Sequence, residues 1–213
     1  MKKIMIGLIA IPLLCGGISG ADNSTRFWQA FELTWKPVKV FRLEFEKQVR
    51  YLDTLADVAS DISGVSGRYK VNGWLRLGAG YRYTALGDET RHRINADLHL
   101  RWRQDTFTVT NRARVQKEFI HDASGKSDGM VFRDRLEASF LRGHKLRPYA
   151  GGEIFLGLDE EGKKENKYRL TAGLDFRASK QVRLSLFYHF QHDLGEKTNE
   201  TDHILGGCFR YSF

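Results

Sequence analysis

The sequence predicts an all-β chain: an up-and-down antiparallel transmembrane β-barrel of about ten to twelve strands, preceded by a cleavable signal peptide. Three observations carry that prediction. The N-terminus has the layout of an export signal, apolar residues recur at every second position and restart after each turn, and the last segment alternates toward a terminal phenylalanine.

The export signal comprises Lys2 and Lys3, the apolar stretch Ile4 to Leu14, and small residues from Gly16 to Ala21. Residues 1–21 are therefore expected to be removed, leaving residues 22–213 as a single barrel domain. Leu14 before Cys15 disfavours a lipid anchor, and beyond the signal Cys208 is the only cysteine, so no intramolecular disulfide is expected. Removing Lys2 and Lys3 takes the net charge from +8 to +6, but export argues against nucleic acid as the partner of that charge. No mature stretch is long and apolar enough for a spanning helix, so a membrane role requires strands.

Eleven alternating segments follow one another. In Arg91 to Arg103, Ile94, Ala96, Leu98, Leu100 and Trp102 take one face, while Arg93, Asp97 and Arg101 belong to the other. Val38 to Tyr51 sets Phe41, Leu43, Phe45 and Val49 against Arg42, Glu44, Glu46 and Arg50. Lys167 to Ala178 sets Leu170, Leu174 and Phe176 against Arg169, Asp175 and Arg177. The remaining segments lie near 27–35, 57–70, 74–84, 106–119, 130–142, 146–158, 181–191 and 203–213. Short connections such as Asn72-Gly73 and Ser179-Lys180 alternate with longer polar ones at 120–129, 159–166 and 192–202, the spacing of an up-and-down barrel. Single-chain barrels with both ends in the periplasm need an even strand number. Eleven segments therefore predict either ten strands, with 27–35 left out of the wall, or twelve.

Alternation by itself fits both a soluble barrel with an oily core and a membrane barrel with a polar lumen. Segment length favours the membrane, since many exceed the five or six residues typical of soluble strands. Aromatic residues of the apolar face gather in two belts, one near the longer loops (Tyr51, Tyr81, Phe119, Tyr168) and one near the short turns (Trp35, Tyr69, Trp102, Phe176). Polar exceptions on that face, Lys47, Asp61, Lys117 and Asp134, fall toward the longer loops, with Asn111 the awkward one. The opposite face is rich in arginine and nearly free of lysine, as suits an enclosed ionic network rather than a water-washed surface.

The inward face is thus expected to carry Arg42, Glu44, Glu46, Arg50, Arg93, Asp97 and Arg101, followed by Arg112, Arg114 and Glu118. Further along it carries Arg133, Arg135, Glu137 and Glu153, and then Arg169, Asp175, Arg177 and Arg183. Such a set implies a packed charge network that braces the wall, or a narrow passage whose surplus of arginine prefers anions. Phe209, Tyr211 and the terminal Phe213 share one face, as in the C-terminal strand that barrel-assembly machinery recognises. The expected partners are outer-membrane lipids and lipopolysaccharide, that machinery during insertion, and a small anionic solute.

No catalytic constellation, cofactor or metal site is legible. Ser185 and His189 share a face without a hydrolase motif around them, and His189 and His192 are spaced onto opposite faces of a strand. His121, His144, His192 and His203 fall at turns, loops or strand starts and are expected to be solvated; Cys208 is expected to face the lumen unpartnered. The alternatives are an outer-membrane lipid-modifying enzyme using His189, or a soluble periplasmic β-barrel binding protein.

Scattered features resemble an uncharacterised group of Gram-negative outer-membrane barrels named as domain of unknown function 2490. They are Trp28 and Trp35, the Glu46 to Arg50 spacing, Gly78-Ala79-Gly80-Tyr81-Arg82-Tyr83, and the strand with Arg112, Arg114 and Glu118. Arg133 with Arg135, Arg147-Pro148-Tyr149 followed by Glu153, and Phe213 complete the set, which spans nearly the whole mature chain. The resemblance implies a fold and an outer-membrane location, and no activity.

Overall fold

A computed structural model describes residues 23–52, 57–123, 125–158, 166–194 and 200–213. The proposed signal peptide lies outside them. The described residues form eleven strands: β1 (Asn23–Val38), β2 (Phe41–Leu52), β3 (Asp57–Lys70), β4 (Leu75–Leu86), β5 (Glu89–Arg103), β6 (Thr108–Asp122), β7 (Gly125–Ser139), β8 (Leu146–Gly157), β9 (Lys167–Arg177), β10 (Val182–Asp193) and β11 (Thr201–Ser212). Each pairs with its sequence neighbours, and the sheet closes on itself between β1 and β11.

That closure corrects the expectation of an even strand number. The segment around 27–35 is a full wall strand, and no twelfth strand is needed. With an odd number of up-and-down strands the first and last run the same way, so only a parallel pair can close the ring. The β1–β11 pair is parallel and runs from Asn23↔Thr201 to Thr34↔Ser212. Closure leaves no free edge. It also places Asn23 at one mouth and Ser212 at the other, so the two ends of the barrel do not share a side as the parity argument required.

The alternation of tight and loose connections is partial. Residues 120–129, read as a long loop, are mostly strand: β6 continues to Asp122, which pairs with Gly125. Gly125 adopts φ +132°, a conformation open to glycine, and so permits the tight turn. Gly87 at φ +55° likewise turns β4 into β5 within two residues.

The faces divide as the side-chain period dictates. Leu98, Leu174 and Leu186 point outward and are 39%, 44% and 47% exposed, with Phe31 and Phe209 stacked on the outside of the seam at 5.5 Å. The polar exceptions on this face satisfy one another. Lys47 bonds Asp61 at 2.5 Å, Lys117 bonds Asp128 at 2.7 Å, and Asn111 Nδ2 donates to Asp134 Oδ1 at 2.5 Å, which accounts for the awkward asparagine. His203 is not simply solvated, since it shares a 2.6 Å hydrogen bond with the Tyr188 hydroxyl; His92 does the same for Tyr81 at 2.7 Å. His121 and His192 lie within β6 and β10 rather than in loops, and His192 hydrogen-bonds Thr201 at 3.1 Å.

Candidate functional site

Successive strands project their inward residues into one cavity of about 1410 Å³, lined from Arg26 and Lys167 at the longer-loop mouth to Lys36, Arg103 and Lys180 at the short-turn mouth. Because inward residues recur every second position, each strand delivers a column of charges rather than a single one. The columns on β6 to β9 meet at Glu153, which is buried. Arg112 Nη2 and Arg133 Nη2 each donate to its Oε1 at 2.8 Å, and Arg169 Nη1 lies 3.6 Å from its Oε2. Three guanidiniums thus converge on one carboxylate, an arrangement that the planar fork suits better than a point-charge ammonium does.

Beside this hub, Arg114 grips Asp97 with Nε at 2.6 Å and Nη2 at 2.8 Å. Both are buried, Asp97 behind the contact and Arg114 between it and the cavity that it lines. Arg93 bonds Glu118 at 2.7 Å, Arg82 bonds Glu46 at 2.6 Å, and Arg135 bonds Glu137 at 2.5 Å. Glu44 receives Arg68 at 2.6 Å and Arg42 at 3.3 Å; Asp175 receives Arg147 at 2.8 Å and Arg183 at 3.8 Å. Apart from Arg135–Glu137 within β7 and Arg42–Glu44 within β2, these pairs cross between strands and tie the wall together around its circumference.

Arginines nevertheless outnumber their partners. Among the described residues Arg50, Arg76, Arg101, Arg103 and Arg177 line the cavity without an ion pair. Arg50 accepts a weaker arrangement: its guanidinium lies 4.0 Å from the centre of the Trp28 ring and donates to Gln48 Oε1 at 3.2 Å. The other inward residues named from the sequence line the same cavity except Asp97, which lies behind Arg114.

Sequence reasoning missed the aromatic side chains inside the barrel. Trp28 and Phe155 are buried there, and Phe187 stacks on His189 at 4.5 Å. Arg133 covers the Phe155 ring at 4.4 Å. Two glycines make room for such rings. A Cβ on Gly206 would fall 2.3 Å from Phe187 Cζ, and one on Gly173 would fall 2.5 Å from the Tyr149 ring. The available signal was the inward parity of Trp28, Phe155 and Phe187 among polar neighbours. An apolar residue on a polar face is easily passed over as a break in the pattern.

Ser185 and His189 are each held elsewhere. Ser185 Oγ donates to Asp175 Oδ1 at 2.6 Å, and His189 Nδ1 shares a 2.8 Å hydrogen bond with Thr171 Oγ1. Cys208 is buried, lines the cavity and is free of disulfide. Among the described residues no cluster of histidine, cysteine and carboxylate has the makings of a metal site.

A closed β-barrel with an apolar exterior and a charged, cavity-bearing interior is porin-like. The chain belongs to the DUF2490 family, described as a protein of unknown function, whose model matches residues 25–202. Among solved structures it resembles the NanC porin, with TM-score 0.56 and 11% identity over 83% of this chain and 92% of that one. It also resembles a bacterial polysaccharide outer membrane secretin, with TM-score 0.51 and 13% identity over 79% of this chain and 62% of that one. At these identities the likeness is one of fold. No curated protein matches the chain in sequence.

Proposed function

We propose that the protein is an outer-membrane barrel that acts as a narrow, anion-preferring conduit. The observation that carries this reading is a cavity lined from one mouth to the other by far more guanidinium than carboxylate groups. Spread over a membrane height of about 30 Å, its volume of 1410 Å³ corresponds to a mean cross-section of about 47 Å². That is the scale of small hydrated solutes. The paired arginines hold the wall while the unpaired ones set the sign of the potential inside.

The outer-membrane location is supported by the export-type N-terminus, the outward leucines and the aromatic girdles, and the aromatic C-terminal strand is read as the segment offered to assembly machinery. A non-enzymatic role is supported by the separate partners of Ser185 and His189. In planar bilayers with a potassium chloride gradient, the purified barrel is expected to give a reversal potential of anion-selective sign; cation selectivity would overturn the reading. Fractionation with unboiled gel migration tests the location: a heat-modifiable band in the outer-membrane fraction is expected, and a soluble periplasmic protein is the contrary result.

A further inference from the structure

Arg76, Arg101 and Arg103, three of the lumen arginines without an ion pair among the described residues, lie together. At the short-turn mouth β2 to β5 bring together Arg42, Arg68, Arg76, Arg101 and Arg103, all lining the cavity. The ladders fix the arrangement. Arg42 and Arg68 are register partners on β2 and β3, Arg76 on β4 partners His99 on β5, and Arg101 and Arg103 follow His99 at two-residue steps on the same face.

One carboxylate, Glu44, bonds within this group, and it serves Arg42 and Arg68. Arg76, Arg101 and Arg103 have no ion pair among the described residues. The charged groups acting most strongly on Arg101 are Arg76, Arg103, Arg42 and Arg68, all of the same sign. For Arg76 they are Arg42, Arg103 and Arg68. Arg101 Nε is buried with no hydrogen-bond partner. Most lumen arginines pair with a carboxylate, whereas three neighbouring ones here have none among the described residues, so their repulsion is left standing. The buried Nε donors of Arg68 and Arg101 are left empty, as are those of Arg50, Arg93 and Arg112 deeper in the lumen. Both would be relieved by a bound oxyanion, for which the guanidinium fork has matching geometry.

We propose that this cluster is an oxyanion-binding site at the short-turn mouth, taking a solute with two or more phosphate or carboxylate groups. It, rather than the Glu153 hub, sets the anion preference of the conduit. Several adjacent forks with one carboxylate among them favour a multivalent anion over chloride, because each additional anionic group engages a further guanidinium without adding a separate binding event. The binding claim stands on the cluster's geometry, and the selectivity claim rests on the conduit reading above.

The experiment is calorimetric titration of the detergent-solubilised barrel at low salt, with pyrophosphate and citrate as separate probes that distinguish phosphate from carboxylate chemistry. The double variant Arg76→Gln/Arg101→Gln is expected to lose at least about tenfold in affinity for whichever probe binds. Arg101→Lys is expected to keep part of it, and Arg26→Gln at the opposite mouth to keep all of it. Heat-modifiable migration checks folding, with Arg103→Gln at the end of β5 as the substitute should the double variant not fold. Absence of binding by both probes, or unchanged affinity in the folded variants, would overturn the site.

The same proteins in bilayers separate the two claims. Arg76→Gln/Arg101→Gln is expected to move the reversal potential toward zero. A barrel that binds pyrophosphate yet carries no current would overturn the conduit reading and leave the site standing. One that conducts anions equally well with and without the cluster would overturn its part in selectivity.

Discussion

Arg114 faces Asp97 across the β5–β6 ladder and holds both of its carboxylate oxygens, Nε at 2.6 Å and Nη2 at 2.8 Å. Both residues are buried, at 9% and 7% exposure, so neither charge is free to recover its solvation in the lumen. Removing one partner leaves the other uncompensated. Asp97→Asn is expected to lower stability by about 3 kcal/mol, the low end for breaking a buried pair. Denaturant unfolding in lipid vesicles measures it, and Asp97→Asn with Arg114→Gln should recover much of the loss.

Glu153 holds three arginines where most carboxylates of the lumen hold one or two. Glu153→Gln is therefore expected to destabilise the barrel more than Glu137→Gln, whose carboxylate pairs with Arg135 alone. Comparing the two unfolding midpoints checks it; equal midpoints would mean that the hub is no more than the sum of loose pairs.

On the outer face the Asn111–Asp134 pair sits where hydrocarbon side chains surround it. Replacing both by leucine is expected to stabilise the barrel in bilayers by about 1 kcal/mol or more, since the pair trades away desolvation for one hydrogen bond. Asp134→Leu alone leaves Asn111 Nδ2 with only the 3.5 Å contact to the Arg135 carbonyl and is expected to destabilise the barrel. If the face met water instead, the double variant would lose solubility and gain nothing.

Ala30 on β1 and Cys208 on β11 are register partners across the parallel seam, and both line the cavity. Their positions suit a disulfide, for which Cα atoms must lie within about 7 Å. Ala30→Cys is expected to cross-link to Cys208 on oxidation, removing the reactivity of both toward a maleimide and tightening the barrel against unfolding. A ring closed by any other pair of strands would leave both thiols reactive.

At Gly206 a methyl group would meet the Phe187 ring at 2.3 Å and the Trp28 carbonyl oxygen at 2.9 Å. Gly206→Ala is expected to cost about 1–3 kcal/mol, as overpacking does, and to push Phe187 toward the open lumen. Lower single-channel conductance should accompany the loss, and Phe187→Ala in the same chain should restore it.

Much of this architecture is legible in the sequence because a strand's side-chain period is two. Ile94 to Trp102 on one face and Arg93 to Arg101 on the other need no tertiary knowledge to be separated. The same periodicity assigned Glu153, Arg133 and Arg169 to the interior. It could not say that they meet, since they lie on three different strands and their encounter depends on the stagger between strands. Parity also places Trp28, Phe155 and Phe187 inside, but it cannot say what holds them there, since ring faces stack on guanidiniums and glycines of other strands leave the space.

Local chemistry therefore determined the strands, their two faces and the sign of the interior charge, all of which follow from residues one or two positions apart. The tertiary structure decided how the ring closes, which cations have partners and where the unpaired ones gather. Those depend on which residues come opposite one another when Asn23 and Thr201, far apart along the chain, are brought into register.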